Sequence, residues 1–275
     1  MTAQERLLRR AAGLIRLPSA PEHTPEVCAG GNGLRCPTTD SEFPYRDGIL
    51  DLLPHAGPRT LSQWSLDTAL TAWLYDRMRE SILRVAGLPD FATEVINILS
   101  RLQVQPGDVV VDLACGHGNF TMEWARLVGP DGLVIGLDIS RSMLARAAAR
   151  VAASQAGNVL LIHGDAHQLP IASGSVRRVN CSGGFHAFPD LPRALREIAR
   201  ISMPGAVLTA SMFAEDPQHQ RPRRREWLRV KLGLHFVPLL WLGEQLEALG
   251  YTHYVWSVPK GGFGYTSAVK AAHGA

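Results

Sequence analysis

Val109-Val110-Val111-Asp112-Leu113-Ala114-Cys115-Gly116-His117-Gly118-Asn119-Phe120 is the stretch that decides the fold. Three β-branched valines open a short apolar run, as a parallel strand buried on both faces requires. The run enters a turn of small residues, and a helix-forming stretch follows from about Asn119 to Val128. Low bulk at the turn lets a ligand approach the backbone, and the free N–H groups of the helix start receive an acceptor. A second β-branched run, Leu133-Val134-Ile135-Gly136-Leu137-Asp138, ends on an acid 26 residues after Asp112. A carboxylate at a strand tip suits the two hydroxyls of a ribose. Together these features predict a nucleoside cofactor.

Outward from this core the chain alternates. Strands are predicted near 109–113, 133–138, 159–163, 176–182 and 205–213, with helices near 119–128, 140–154, 190–201 and 238–249. Such alternation means right-handed crossovers and a parallel, doubly wound α/β sheet. Two further β-rich runs, Thr252–Val258 and Gly264–Lys270, flank Pro259-Lys260-Gly261-Gly262 and read as a terminal hairpin at the sheet edge. Upstream, Leu61, Ala69, Leu70, Trp73, Leu74, Met78 and Ile82 recur at helical spacing, which predicts an amphipathic helix to about Val85. A second helix is expected from about Phe91 to Leu102. Residues 1–60, rich in proline and glycine, form a stretch apart.

The chain has 275 residues, 46% of them hydrophobic and 19% charged, enough for a substantial core and unlike a disordered chain. No apolar run reaches the roughly 18 residues of a membrane span, and the N-terminus lacks a signal-peptide core. Cys28, Cys36, Cys115 and Cys181 suggest no disulfide framework, so a reducing cytoplasm is expected. Residues 221–231 hold six basic side chains and one acid, whereas the whole chain carries only +3. The basicity is one patch: a solvated face or loop, a substrate-side lid, or a contact for an anionic partner.

At this point the motifs resemble the class I S-adenosylmethionine-dependent methyltransferases of the UbiE/methyltransferase type 11 kind, over about residues 61–272. Asp112 to Gly118 looks like the glycine-rich first motif, with Ala114 where a glycine usually stands. Leu137-Asp138-Ile139-Ser140 looks like the second motif, and Gly164 to Pro170 like the third. Val179 to Asp190 looks like the fourth strand and active-site loop, and Leu195 to Gly205 like the helix and turn before the fifth strand. The resemblance implies a Rossmann-like seven-stranded sheet and S-adenosyl-L-methionine as cofactor. It places Asp112, Ala114, Cys115, Gly116, Gly118, Asp138, Ile139, Met143, Asp165, Ala166 and Cys181 around that cofactor. Asp138 would hold the ribose and Asp165 the adenine amino group. Met143 either covers the adenine or fills core. Asp112 either meets the methionine amino group or holds the turn from behind.

Methyl transfer needs alignment behind the methyl group and, for an acidic nucleophile, removal of a proton. His186, just past the fourth strand, is the candidate base; orienting its loop is the competing role. Tyr75, on the N-terminal helix that closes over the cofactor in related methyltransferases, is the second catalytic candidate, unless it packs beside Trp73. His117 and His167 are expected to face solvent or the cofactor. A helical lid (61–104) and a substrate-side insert (212–237) would complete the 61–275 domain. In the insert, Trp227, Leu228, Leu232, Leu234 and Phe236 would form an apolar wall, and Trp64 is a further candidate.

Leu34 to Pro54 resembles the second half of a zinc ribbon, a unit that precedes some ribosomal RNA methyltransferases. A Cys-x-x-Cys would begin at Cys36, but Thr39 stands where the second cysteine belongs, and Leu17-Pro18-Ser19-Ala20 replaces the upstream pair. Cys28, Cys36, His23 and His55 match no usual ligand spacing, so a degenerate ribbon without metal is expected. With that grip lost and the basic patch confined, nucleic acid is a poor partner. The expected activity is O- or N-methylation of a small molecule, a specialised metabolite, with the oligomeric state open. The rivals are an RNA methyltransferase and a cofactor-binding fold that catalyses a non-methylating step such as cyclisation. A nicotinamide-dependent oxidoreductase fits poorly, because the turn is Ala-x-Gly-x-Gly.

Overall fold

The computed structural model describes residues 1–53, 90–215, 236–259 and 263–272. The strands are β1 (Glu26–Val27), β2 (Gly33–Arg35), β3 (Glu42–Arg46), β4 (Ile49–Asp51), β5 (Val109–Leu113), β6 (Leu133–Asp138), β7 (Val159–His163), β8 (Val176–Ser182), β9 (Ser202–Glu215), β10 (Val237–Pro238), β11 (Tyr251–Ser257) and β12 (Phe263–Lys270). The helices are α1 (Ala3–Ala12), α2 (Phe91–Leu102), α3 (Asn119–Val128), α4 (Arg141–Ser154), α5 (Leu191–Ile201) and α6 (Leu239–Ala248). The expected helix over 61–85 lies outside the described residues.

The sheet runs β1-β2-β3-β4-β7-β6-β5-β8-β9-β12-β11, with the short β10 beside the end of β9. From β4 to β9 neighbouring strands are parallel, and β12 and β11 close the far side antiparallel. The chain leaves β5 in one direction toward β6 and β7 and later returns to its other side with β8. The crevice between β5 and β8 is therefore the topological switch point, where open α/β sheets bind ligands. The doubly wound α/β sheet and its terminal hairpin are as the sequence predicted. The fifth strand, expected over 205–213, is longer, because β9 must pair with β8, β10 and β12.

Side chains alternate across the central strands and build two apolar layers. Leu113, Leu137 and Ile162 face α5 and α6, with Leu195, Ile198, Leu242 and Leu246. Val110, Val134 and Leu161 face the other way, against Ile98, Leu102, Trp124 and Leu144 of α2, α3 and α4.

The expectation of seven strands is corrected by the N-terminal segment. Strands β1 to β4 form an antiparallel meander whose last strand lies parallel to β7, pairing Ile49 with Leu161 and Asp51 with His163. The physical reason is the open edge of β7, whose unpaired backbone groups β4 satisfies. Helix α1, absent from the sequence reading, begins at a Thr2 cap whose hydroxyl accepts from the Glu5 N–H. Leu8 of α1, Ile15 and Leu50 pack into the same layer as Leu160 and Ile162. The backbone also joins the two parts, through Ala172 N–H to the Leu14 carbonyl at 2.7 Å and Arg16 N–H to that of Pro170 at 3.0 Å. Between β2 and β3, Cys36 Sγ lies 3.2 Å from the Thr38 hydroxyl.

At the opposite edge, β11 is interrupted between Thr252 and Val255, where His253 takes a left-handed φ of 53°. Leu50, fully buried, tests the continuity of the sheet. Leu50→Ala should lower stability by about 2–4 kcal/mol. Denaturant unfolding should still show one transition, with tryptophan fluorescence and far-UV dichroism coincident.

Candidate active site

The loops at the C-terminal ends of β5, β6, β7 and β8 meet on one side of the sheet. The turn after β5 is held by two backbone bonds, from Cys115 N–H to the Leu137 carbonyl (3.1 Å) and from Gly118 N–H to that of Cys115 (2.9 Å). Gly118, at φ 81°, approaches α4 so closely that a Cβ would lie 3.0 Å from that of Ala147. Ala114 adopts φ 50°, a conformation that costs a non-glycine residue about 1 kcal/mol. The side-chain position of Gly116 faces open space.

The Gly116 N–H donates to Asp138 Oδ2, and the Ser140 N–H to Asp138 Oδ1, both at 2.8 Å. Burial raises the carboxyl's pKa and these N–H groups oppose the rise, leaving it above the ordinary value. A carboxylate offers about four lone-pair sites, so the two oxygens keep capacity for two more donors. Ile139 is half-buried beside it, and Met143 is buried in the first turn of α4.

Asp112 points into the α2–α4 side of the sheet and is sealed from solvent. It accepts from the Thr121 hydroxyl at 2.6 Å and from Asn180 Nδ2 at 2.7 Å. Asn180 Oδ1 in turn accepts from the hydroxyls of Ser182 and Thr209, each at 3.1 Å. The network ties β5 to α3, β8 and β9 beneath the turn. Burial lifts the Asp112 carboxyl to about 6 against the pull of Thr121 and Asn180.

In the loop after β7, Asp165 Oδ1 accepts from the His167 N–H (2.9 Å) and contacts His167 Nδ1 (2.6 Å). Burial raises its pKa, but the His167 bonds outweigh that and hold it below the usual carboxylate range. Ala166 is buried beside it. Burial pushes the thiols of Cys115 and Cys181 well up, away from the thiolate form. Cys181 is fully buried and supports the next loop from below; a Cβ on Gly184 would lie 2.5 Å from its sulfur.

His186 sits in a single 3-10 turn, Phe185–Ala187, and is buried. The Phe213 N–H donates to its Nδ1 at 3.4 Å, and the ring stands edge-on to Phe213 with centroids 4.8 Å apart. Burial lowers its pKa to about 4. Phe213 also meets Phe236 and Phe263 at 5.6 and 5.5 Å. These half-buried rings form an apolar patch at the tips of β8 and β9. Of the residues expected to form a wall, Phe236 is described and packs on Phe213. Tyr75, Trp64, Trp73, Trp227, Leu228, Leu232, Leu234 and the patch 221–231 lie outside the described residues.

Three elements of the site went unread in the sequence. Asn180 could have been paired with Asp112 by strand alternation. Phe213 and Phe263 carried no motif. Glu94 of α2, buried and bonded by the Ser211 hydroxyl at 2.8 Å, looks in sequence like a surface residue of an amphipathic helix.

Residues 110–205 match a family model described as a methyltransferase domain. A demethylmenaquinone methyltransferase of Geobacillus stearothermophilus is 38% identical over 111 residues, 40% of this chain and 47% of the relative. The chain thus spans about half the length of the curated relatives it matches. Among solved structures, a Haemonchus contortus phosphoethanolamine N-methyltransferase 2 aligns with a TM-score of 0.65 at 16% identity, covering 78% of this chain and 62% of that one. The [4+2]-cyclase SpnF aligns at 0.55 and 18% identity, covering 74% of this chain and 96% of that one. The fold is that of the class I methyltransferases, as the resemblance implied.

The Asp112 carboxyl gives a signed expectation. Its folded pKa lies above the unfolded value, so the folded state holds a proton that the unfolded state has released. Its contribution to stability should therefore fall as pH rises from about 4 to about 6, by up to about 3 kcal/mol. Buried His186 has the opposite slope over the same range, so the check is the difference between native protein and Asp112→Asn in urea titrations, which should shrink by that amount across the window.

Proposed function

We propose that this chain is an S-adenosylmethionine-dependent methyltransferase acting on a small, ring-bearing acceptor. The observation that carries the reading is Asp138, a buried carboxylate at the tip of β6, pinned by two N–H groups with acceptor capacity to spare. It stands beside the open space over Gly116, close to the switch point of the sheet. A ribose supplies the two donors such a carboxylate lacks. The matched methyltransferase-domain model supports the same reading, as does the cofactor named in the Haemonchus complexes.

When bound, S-adenosylmethionine supplies a methyl group on a positively charged sulfur, open to in-line displacement. The remaining work belongs to the chain. Asp138 holds the ribose, and the Asp165–Ala166 loop borders the adenine with Met143 and Ile139. The Ala114–Gly118 turn offers backbone rather than side chains to the rest of the cofactor. Beneath it, the Asp112–Asn180 network keeps the turn at fixed height. Alignment of this kind supplies roughly 7–11 kcal/mol of a bimolecular barrier without any acid or base.

The acceptor meets the rings of Phe213, Phe236 and Phe263, an apolar wall suited to a flat, ring-bearing molecule. The quinone in the relatives' name belongs to that class. This widens the expectation of O- or N-methylation to acceptors of quinone or phenol type. His186 serves there as a neutral donor rather than a base. Its Nδ1 lone pair is engaged by the Phe213 N–H, which leaves the proton on Nε2.

Calorimetric titration of the full chain with S-adenosylhomocysteine tests the cofactor assignment. Binding in the micromolar range, weakened at least about tenfold by Asp138→Ala, is expected. Absence of binding by the folded native chain would refute it. For His186, nitrogen-correlated NMR should show a neutral ring with an Nε2 proton from about pH 5.5 to about pH 8. A ring that takes up a second proton in that window would restore it as a base.

A further inference from the structure

His163 ends β7 in register with Asp138 on one side and with Asp51, near the end of the N-terminal meander, on the other. The ring is buried. Its Nδ1 lies 2.9 Å from Asp51 Oδ1, and its Nε2 lies 3.2 Å from the Ile139 carbonyl oxygen. Both partners are acceptors only. A neutral imidazole has a single N–H and makes one of these bonds; the ring makes both only when it carries two protons. Three charged groups face it from the packed elements: Asp51 of β4, Arg141 of α4 and Asp138 of β6. Arg141 Nη1 donates to Asp51 Oδ2 at 2.6 Å.

The Ile139 carbonyl and the Ser140 N–H belong to one rigid peptide plane. His163 holds that plane by its oxygen, and Asp138 Oδ1 holds it by its N–H at 2.8 Å. A rotation that releases one end moves the other. The orientation of the Asp138 carboxylate is thereby tied to a residue that belongs to the N-terminal segment.

We propose that Asp51 and His163 are positioning residues for the cofactor, pinning the 139–140 peptide and, through it, the carboxylate that holds the ribose. The inference rests on the cofactor reading above. His163→Ala removes the bond to the 139–140 peptide and should lower cofactor affinity, whereas His163→Gln keeps an amide N–H for the Ile139 carbonyl and should largely retain it.

The test is calorimetric titration of the full chain with S-adenosylhomocysteine, native against His163→Ala and His163→Gln. His163→Ala should weaken binding at least about threefold, and His163→Gln less than about 1.5-fold. Native affinity in His163→Ala, or a His163→Gln as weak as His163→Ala, would each overturn the proposal. Native protein that binds no S-adenosylhomocysteine would instead refute the cofactor reading on which it rests. Should His163→Ala not fold, Asp51→Ala supplies the comparison, with a loss of at least about threefold expected and native affinity overturning the proposal.

Discussion

One carboxylate governs the geometry of the ligand-binding end of the sheet. Asp138 closes β6 and grips the backbone of the turn after β5, so the tips of two adjacent parallel strands are cross-linked by a side chain. Ladder bonds end where strands end, and without this link the Ala114–Gly118 turn would be fixed only from β5 and α3. The same turn is set from below by Asp112, whose two oxygens are spent on Thr121 and Asn180. One acid thus works between the tips of the strands and the other inside the sheet.

The parallel core was legible because its signals are local and redundant. Uninterrupted valine runs, small residues at the turn after β5 and an acid at the tip of β6 each point to the same layout, and helix α3 spans the predicted residues. What escaped were contacts between segments far apart in sequence. Asp51 and His163 are 112 residues apart and carry no motif; only the parallel pairing of β4 with β7 brings them together. Phe213 and Phe263 likewise meet because β12 returns antiparallel to β9. Helix α1 was a different omission. Thr2 followed by Glu5 and the apolar Leu7, Leu8, Ala11 and Ala12 is a readable capped helix, masked by the proline- and glycine-rich stretch that follows.

The resemblance of Leu34 to Pro54 to a ribbon identified strands but not their destination. In the structure its last strand is stabilised by the edge of β7 and its apolar residues by the layer holding Leu160 and Ile162.

An open sheet this wide has two ends, and both are shaped in a particular way. At one, β1 offers only two residues. At the other, His253 breaks the run of β11 and turns its backbone out of line. Neither edge presents the long, flat row of unpaired amides and carbonyls that templates strand addition from another copy. The left-handed residue at position 253 thus exchanges local strain for an irregular rim, a geometry that an added strand would have to straighten before it could pair.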